Sequence, residues 1–159
     1  MDLYTALLER RTISSFKPEV PDSEIIQRAI EAARWAPNHR YTEPWHFYRL
    51  GPETAAQVVT LNTALVRAKK GDEAAETKQK KWASVPAWLL VTCDRSEDAL
   101  KGQEDYAATA CAIQNLQLAL WAEGVGCKWT TGDVTRANEL ADLCWFDAQA
   151  ERVVGLLMS

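Results

Sequence analysis

Two adjacent arginines followed by a threonine are the first residues in the chain with an evident chemical use. Arg10, Arg11 and Thr12 follow a short amphipathic segment and offer two cations and a hydroxyl group within three residues. Arginine donates charged, parallel hydrogen bonds to phosphate oxygens, so this pattern suits a monophosphate. An exposed arginine pair with no ligand fits the same three residues, and the pattern alone leaves both interpretations open.

The sequence lacks the common catalytic and nucleotide-binding motifs. It contains no helical GxGxxG loop, no GxxxxGK[ST] loop, no serine-hydrolase signature and no HExxH motif. Only two histidines occur, His39 and His46, and the four cysteines form no CxxC pair. We therefore expect no metal site, and we expect the cysteines to be reduced and mostly buried.

Length, composition and charge restrict the class of protein further. A chain of 159 residues with 47% hydrophobic and 25% charged residues predicts one globular domain over 1–159. The net charge of −4 argues against nucleic acid as a partner. No apolar run reaches the roughly 20 residues of a membrane helix, and no signal peptide is recognisable at the N-terminus. We expect a cytoplasmic protein with no membrane partner.

Hydrophobic periodicity indicates the elements that must position these residues. It predicts helices over about 2–10, 22–36, 52–69, 104–123 and 135–143. Strands are predicted at 45–50, 86–93, 127–132 with its turn, and 152–158. The helix over 104–123 is apolar around most of its circumference, which places it at the centre of the fold or at an interface. The basic stretch 78–82 is typical of a solvated helix face.

Four blocks of the sequence resemble the FMN-dependent nitroreductase family, and they occur in the order that the family has. They span essentially the whole chain, and the likeness is greatest to the short, minimal branch of the family. The blocks are ERRTISSF at 9–16, APNH at 36–39 with EPWHF at 43–47, EGVGCKWTTG at 123–132, and VVGLL at 153–157.

The resemblance implies a fold, a cofactor and an activity. The implied fold is α+β, with a central mixed or antiparallel sheet flanked by helices, in a homodimer with two FMN sites shared between the chains. The implied activity is hydride transfer from NAD(P)H to a small electron-poor acceptor such as a nitroaromatic or a quinone. Since the flavin carries the hydride, no catalytic side chain is implied. The alternative is a non-catalytic, flavin-binding or flavin-less homodimer that serves as a sensor or interaction module.

The resemblance also assigns site residues by position. Arg10 and Arg11 would hold the FMN phosphate, and Thr12 the phosphate or the ribityl chain. The loop of Pro37, Asn38 and His39 would reach the flavin of the partner subunit. The segment of Thr130, Thr131 and Gly132 would offer backbone groups to the flavin ring near its reactive nitrogen.

Two features depart from the family pattern. Ser14 stands where the family usually has an arginine or lysine that supports the O2 and N1 edge of the flavin, and a serine offers that edge only a neutral hydrogen bond. Lys78, Lys80 or Lys81 could supply the missing cation, and the sequence leaves open which of them faces inward. The sequence given also stops at Ser159, directly after the final predicted strand, where family members continue with a segment that often embraces the other subunit.

Overall fold

The computed structural model describes residues 1–159 and contains a four-stranded sheet with helices on both faces. Two short 3₁₀ turns lie at His39–Tyr41 and Asp133–Arg136. The helices are α1 (Leu3–Glu9), α2 (Ser23–Arg34), α3 (Pro52–Lys70), α4 (Asp72–Ala83), α5 (Ala99–Ala122) and α6 (Glu139–Cys144). The strands are β1 (Trp45–Leu50), β2 (Trp88–Asp94), β3 (Lys128–Thr130) and β4 (Glu151–Met158).

Aspartate side chains begin three of the helices. Asp2 accepts a hydrogen bond from the backbone N–H of Thr5 at 3.1 Å and caps α1. Asp22 caps α2, and Asp98 caps α5 by accepting from two backbone N–H groups. Each carboxylate satisfies donors that the first helical turn leaves unpaired and complements the positive end of the helix dipole.

The strands pair in the order β1-β2-β4-β3, and all three pairings are antiparallel. Strand β2 is buried on both faces because its side chains alternate between two hydrophobic clusters. Leu89, Val91 and Cys93 pack against α2 and α5, whereas Trp88 and Leu90 face the cluster under α3, α4 and α6. This confirms the predicted α+β class and the antiparallel option for its sheet.

Two predicted helices differ from the observed ones. Helix α5 begins at Ala99, five residues before the predicted start, because Asp98 provides the cap. The predicted helix over 135–143 is divided into a 3₁₀ turn and α6, since Ala137 between them has an extended backbone with φ −75° and ψ 132°. None of the helices combines the length and the apolar character that crossing a membrane requires.

Helix α5 buries one side, with Ile113, Leu116 and Leu120 against the sheet and α2, and leaves Cys111 exposed on the other. The surroundings of α5 are therefore less uniform than we expect for a helix that is apolar around most of its circumference. The other three cysteines are buried and no disulfide is present, which confirms the expectation of mostly buried thiols.

Candidate functional site

The segment after α1 lies directly beside the segment before β3. Thr12 forms a parallel bridge with Cys127, and the N–H of Ile13 donates to the carbonyl of Cys127 at 3.2 Å. Gly126 permits this approach, because a Cβ there would lie 2.5 Å from Cγ1 of Ile13. The structure thus joins the first and third sequence blocks, which are more than a hundred residues apart.

The two arginines have different surroundings. Arg11 is exposed, and its guanidinium donates to the carbonyls of Leu8 at 2.7 Å and Arg10 at 2.9 Å. Arg10 is half-buried near Cys127: burial raises the pKa of the Cys127 thiol to about 11, and the positive charge of Arg10 acts in the opposite direction. Neither arginine forms an ion pair. Because the Arg11 guanidinium already donates to backbone carbonyls, the Arg10 guanidinium is the freer of the two to bind an anion.

Thr130, Thr131 and Gly132 form the end of β3 and the turn after it. Thr130 pairs with Leu156 of β4. The carbonyl of Gly132 accepts from the N–H and the hydroxyl of Thr135, and the carbonyl of Thr131 accepts from Arg136 at 2.7 Å. These bonds fix the turn to the 3₁₀ segment that follows it.

Thr130 and Gly132 line a cavity of about 190 Å³ that α3 and α4 close from the other side. Asn62 also lines it, and although its side chain is only 4% exposed, its Nδ2 atom has no hydrogen-bond partner. A buried amide without a partner is costly, so this donor is suited to a ligand that enters the cavity. The remaining lining residues are Leu65, Val66, Lys69, Lys70, Lys78, Trp82 and Asp133.

Of the three lysines considered from the sequence, Lys78, Lys80 and Lys81, only Lys78 lines this cavity. It is half-buried and lies 5.6 Å from the ring centroid of Trp82, whereas Lys80 and Lys81 are exposed and do not line the cavity. Burial, followed by the positive charges of nearby lysines, lowers the pKa of Lys78. The structure thus distinguishes among the three lysines that the sequence left equivalent. Ser14 lies exposed in the loop after α1.

The loop with Pro37, Asn38 and His39 is attached to α5. Asn38 donates to the hydroxyl of Thr42 at 2.9 Å, and that hydroxyl donates to the Asp105 carboxylate at 2.6 Å. His39 Nδ1 lies 2.8 Å from the Glu104 carboxylate. These contacts hold a loop in which Arg40, Tyr41 and Glu43 have positive φ angles of 61°, 50° and 43°, a region that costs energy for residues other than glycine.

Within one chain, this loop and the cavity lie at opposite edges of the sheet. The loop leads into β1 and the cavity lies beyond β3, which are three strand spacings apart, or about 14 Å. The structure therefore places Arg10 and Thr12 beside Cys127, just before β3. Thr130 and Gly132 line the cavity at the other end of β3, and His39 lies apart from both groups. Sequence reasoning missed Asn62 and Asp105, although the spacing of Asn62 from Val58 and Val59 places it on the buried face of α3.

Comparison with known proteins identifies the family. Residues 7–158 match the model of the nitroreductase family. A Bacillus subtilis (strain 168) protein named "Putative NAD(P)H nitroreductase YfhC" is 37% identical over 142 residues, covering 87% of this chain and 73% of that protein. The crystal structure of a nitroreductase-like family protein from Bacillus cereus is 28% identical, with a TM-score of 0.85 over 99% of this chain and 84% of that chain.

A nitroreductase from Bacteroides fragilis NCTC 9343, crystallised with bound FMN, has the same fold. Its TM-score is 0.79 over 99% of this chain and 86% of that chain, at 16% identity. The match to the family model over nearly the whole chain, together with the Bacillus subtilis relative, carries the assignment. This chain belongs to the nitroreductase family.

Proposed function

We propose that the protein is an FMN-dependent oxidoreductase that takes a hydride from NAD(P)H and reduces small electron-poor acceptors such as nitroaromatics or quinones. Family membership supports this activity, as does the relative whose name includes NAD(P)H nitroreductase. The observation that carries the proposal is the cavity in which Thr130, Gly132, Lys78 and the unpartnered amide of Asn62 meet. The 159 residues would act as one FMN-binding domain.

The residues of the cavity and of the Thr12–Cys127 junction fit the chemistry of FMN. Arg10 offers a guanidinium without an ion pair to the phosphate, at the backbone junction of Thr12 and Cys127. Asn62 offers an amide donor, and Lys78 a cation, to the polar edge of the ring. Bound FMN supplies the group that accepts and delivers the hydride, and the protein residues bind it, orient it and adjust its electronic environment.

Lys78 also bears on the alternative of a non-catalytic flavin-binding or flavin-less module. One reason for that alternative is that Ser14 stands where the family usually has an arginine or lysine. Since Lys78 lines the same cavity as Thr130 and Gly132, a cation is available from another element. This arrangement favours the enzyme over the non-catalytic module.

A homodimer is part of the proposal. Trp35 and Tyr41, which flank the loop at 37–39, are 81% and 91% exposed, and Leu3 and Leu8 on α1 are 65% and 71% exposed. Exposed apolar side chains mark a contact surface where they form a continuous patch, and the proposal is that these do. Burial of Trp35 and Tyr41 by a second chain would bring the loop of Pro37, Asn38 and His39 to the FMN site of the partner subunit, and this shared site remains a proposal.

An absorption spectrum of the purified protein, followed by anaerobic addition of NADPH or NADH, tests the activity. We expect a yellow protein whose flavin bands bleach with either donor and recover when an acceptor is added. A colourless protein that does not bind added FMN would contradict the proposal. Sedimentation velocity at micromolar concentration tests the dimer, and a well-folded monomer would contradict that part.

Substitution of Asn62 separates a ligand-binding role from a structural one. In Asn62→Leu the buried, unpartnered amide is removed, so stability should stay equal or rise while FMN affinity falls by about 1 kcal/mol, or roughly fivefold. Asn115→Leu is the matched control, because the Asn115 amide already donates to the carbonyl of Ala32 at 3.4 Å and lies outside the cavity. Unchanged FMN affinity in Asn62→Leu would remove Asn62 from the site.

A further inference from the structure

Four lysines without ion-pair partners form a cluster beside the cavity. We define the lysine cluster as Lys70, Lys78, Lys81 and Lys128, because the other three lie close enough to Lys78 to act on its charge. Neighbouring Lys69 is paired with Asp133 at 2.9 Å, whereas no member of the cluster forms a salt bridge. The cluster is therefore a positive surface on a protein whose net charge is −4.

A second cleft connects this cluster to the candidate FMN site. It lies between the end of α3 and the face of α4 and has a volume of about 500 Å³. Val66, Lys70 and Lys78 line both this cleft and the cavity that contains Asn62, so the two spaces are adjacent. Lys81 also lines the cleft, and Glu73 is its single carboxylate. An anionic ligand can therefore extend from the cavity toward the lysines.

The arrangement of positive charges favours the binding of an anion with more than one negative charge. Three of the four lysines, Lys70, Lys78 and Lys81, line the cleft with one carboxylate among them. Their like charges repel each other and weaken the compact state, and a bound phosphate would relieve this repulsion. Arg10 lies at a separate position, beside Cys127, and is the candidate for the FMN phosphate. The lysine cluster is thus left for a second anionic group.

We infer that Lys70 and Lys81 of the lysine cluster bind the ribose 2′-phosphate of NADPH and make the protein favour NADPH over NADH. This inference rests on the proposed function. The two donors share the nicotinamide and the pyrophosphate, and NADPH alone has the additional phosphate monoester, with about 1.5 to 2 negative charges at pH 7. Lysine serves as a point charge for such a group, and the cleft provides a place for the adenosine end away from Asn62.

The test compares kcat/KM for the two donors in the FMN-loaded protein. We expect the wild-type protein to favour NADPH by at least about tenfold, and the double variant Lys70→Ala/Lys81→Ala to lose most of this preference, since each charged hydrogen bond is worth about a factor of ten. Lys80→Ala is the matched control, because Lys80 lies on the same helix, is exposed, and lines neither cleft. The control should retain the wild-type ratio of NADPH to NADH efficiency.

A binding measurement gives a readout independent of turnover. Calorimetry should show that 2′,5′-ADP binds the FMN-loaded wild-type protein about tenfold more tightly than 5′-AMP does, and that the double variant loses this difference. Equal affinity for the two nucleotides would overturn the inference. So would an equal loss of efficiency for both donors in the double variant, which would assign the lysines to the shared pyrophosphate, or an equal change in Lys80→Ala.

The outcomes also separate this inference from the proposed function. A protein that binds FMN and is reduced equally well by both donors retains the proposed function, and the inference alone fails. A protein that binds no FMN contradicts the proposed function and the inference together.

Discussion

Gly155 on β4 lies beneath the indole of Trp129, and the substitution Gly155→Ala tests whether this contact positions the candidate site. A Cβ at Gly155 would lie 2.0 Å from Nε1 and 2.4 Å from Cδ1 of Trp129, and 3.2 Å from the carbonyl oxygen of Thr130. The first two distances are far below van der Waals contact, so the indole must move. Its hydrogen bond from Nε1 to the carbonyl of Val154, at 3.2 Å, would then be lost.

The cost of Gly155→Ala has two parts. Forcing an extra methyl group into a packed region typically costs about 1–3 kcal/mol, and losing a neutral hydrogen bond costs about 0.5–1.5 kcal/mol. We therefore expect the free energy of unfolding to fall by about 1.5–4.5 kcal/mol. Because Trp129 and Thr130 are adjacent on the three-residue strand β3, the displacement should also move Gly132 and weaken FMN retention.

Urea unfolding and ultrafiltration of the FMN-loaded protein measure the two effects. Gly102→Ala is the matched control: its new Cβ would lie 3.7 Å from the nearest atom, Cβ of Ser96, and alanine is the better residue within α5. In the background of Gly155→Ala, Trp129→Leu should recover part of the stability because it removes the clash. A Gly155→Ala protein with wild-type stability and FMN retention would refute the reasoning.

Three further predictions concern charged groups. Burial raises the pKa of Asp105, but hydrogen bonds from Lys101 and Thr42 outweigh the effect of burial and hold the pKa below 3.8. The stability that Asp105 contributes should therefore be complete above pH 3.8 and disappear as the pH falls through the folded-state pKa. Thermal unfolding at pH 2–6 should therefore show wild type and Asp105→Asn converging at the acid end. Arg10→Ala should weaken FMN binding by about 1.5–3 kcal/mol, and Arg11→Ala by less because its guanidinium already binds backbone carbonyls, as titration with FMN would show. Lys78→Ala should lower the reduction potential of the bound flavin in a redox titration, whereas a potential unchanged from wild type would show that Lys78 does not support the ring edge.

Elements were predictable from the sequence where their burial produces a recognisable pattern of apolar residues. Strand β2 reads as a continuous apolar run because both of its faces are buried, and α2 has apolar residues at helical spacing because one face packs on α5. The start of α5 was missed because Leu100, in its first turn, is 64% exposed, so the first turn depends on the Asp98 cap. Capping is a local interaction that hydrophobic periodicity does not register.

The candidate site was predictable only in part. The resemblance selected the segments around Arg10 and Thr130, and the bridge between Thr12 and Cys127 gives the physical reason why these distant segments belong together. The choice of Lys78 over Lys80 and Lys81 could not be made from the sequence. It depends on how α4 is rotated against α3, and neighbouring positions on one helix differ by about 100° in direction.

Several positions that break local rules lie at the candidate site and in the loop at 37–43. Asn62 occupies a buried helix position without a hydrogen-bond partner, the lysine cluster places like charges together, and Arg40, Tyr41 and Glu43 have positive φ angles. Each of these features costs free energy that an apolar side chain, a carboxylate or a glycine at the same position would avoid. Sequences are expected to depart from local consistency where a ligand or a partner compensates the cost. The orphaned amide and the unpaired lysines both lie around one pair of adjacent clefts, so a single bound assembly of flavin and phosphorylated donor would satisfy them together.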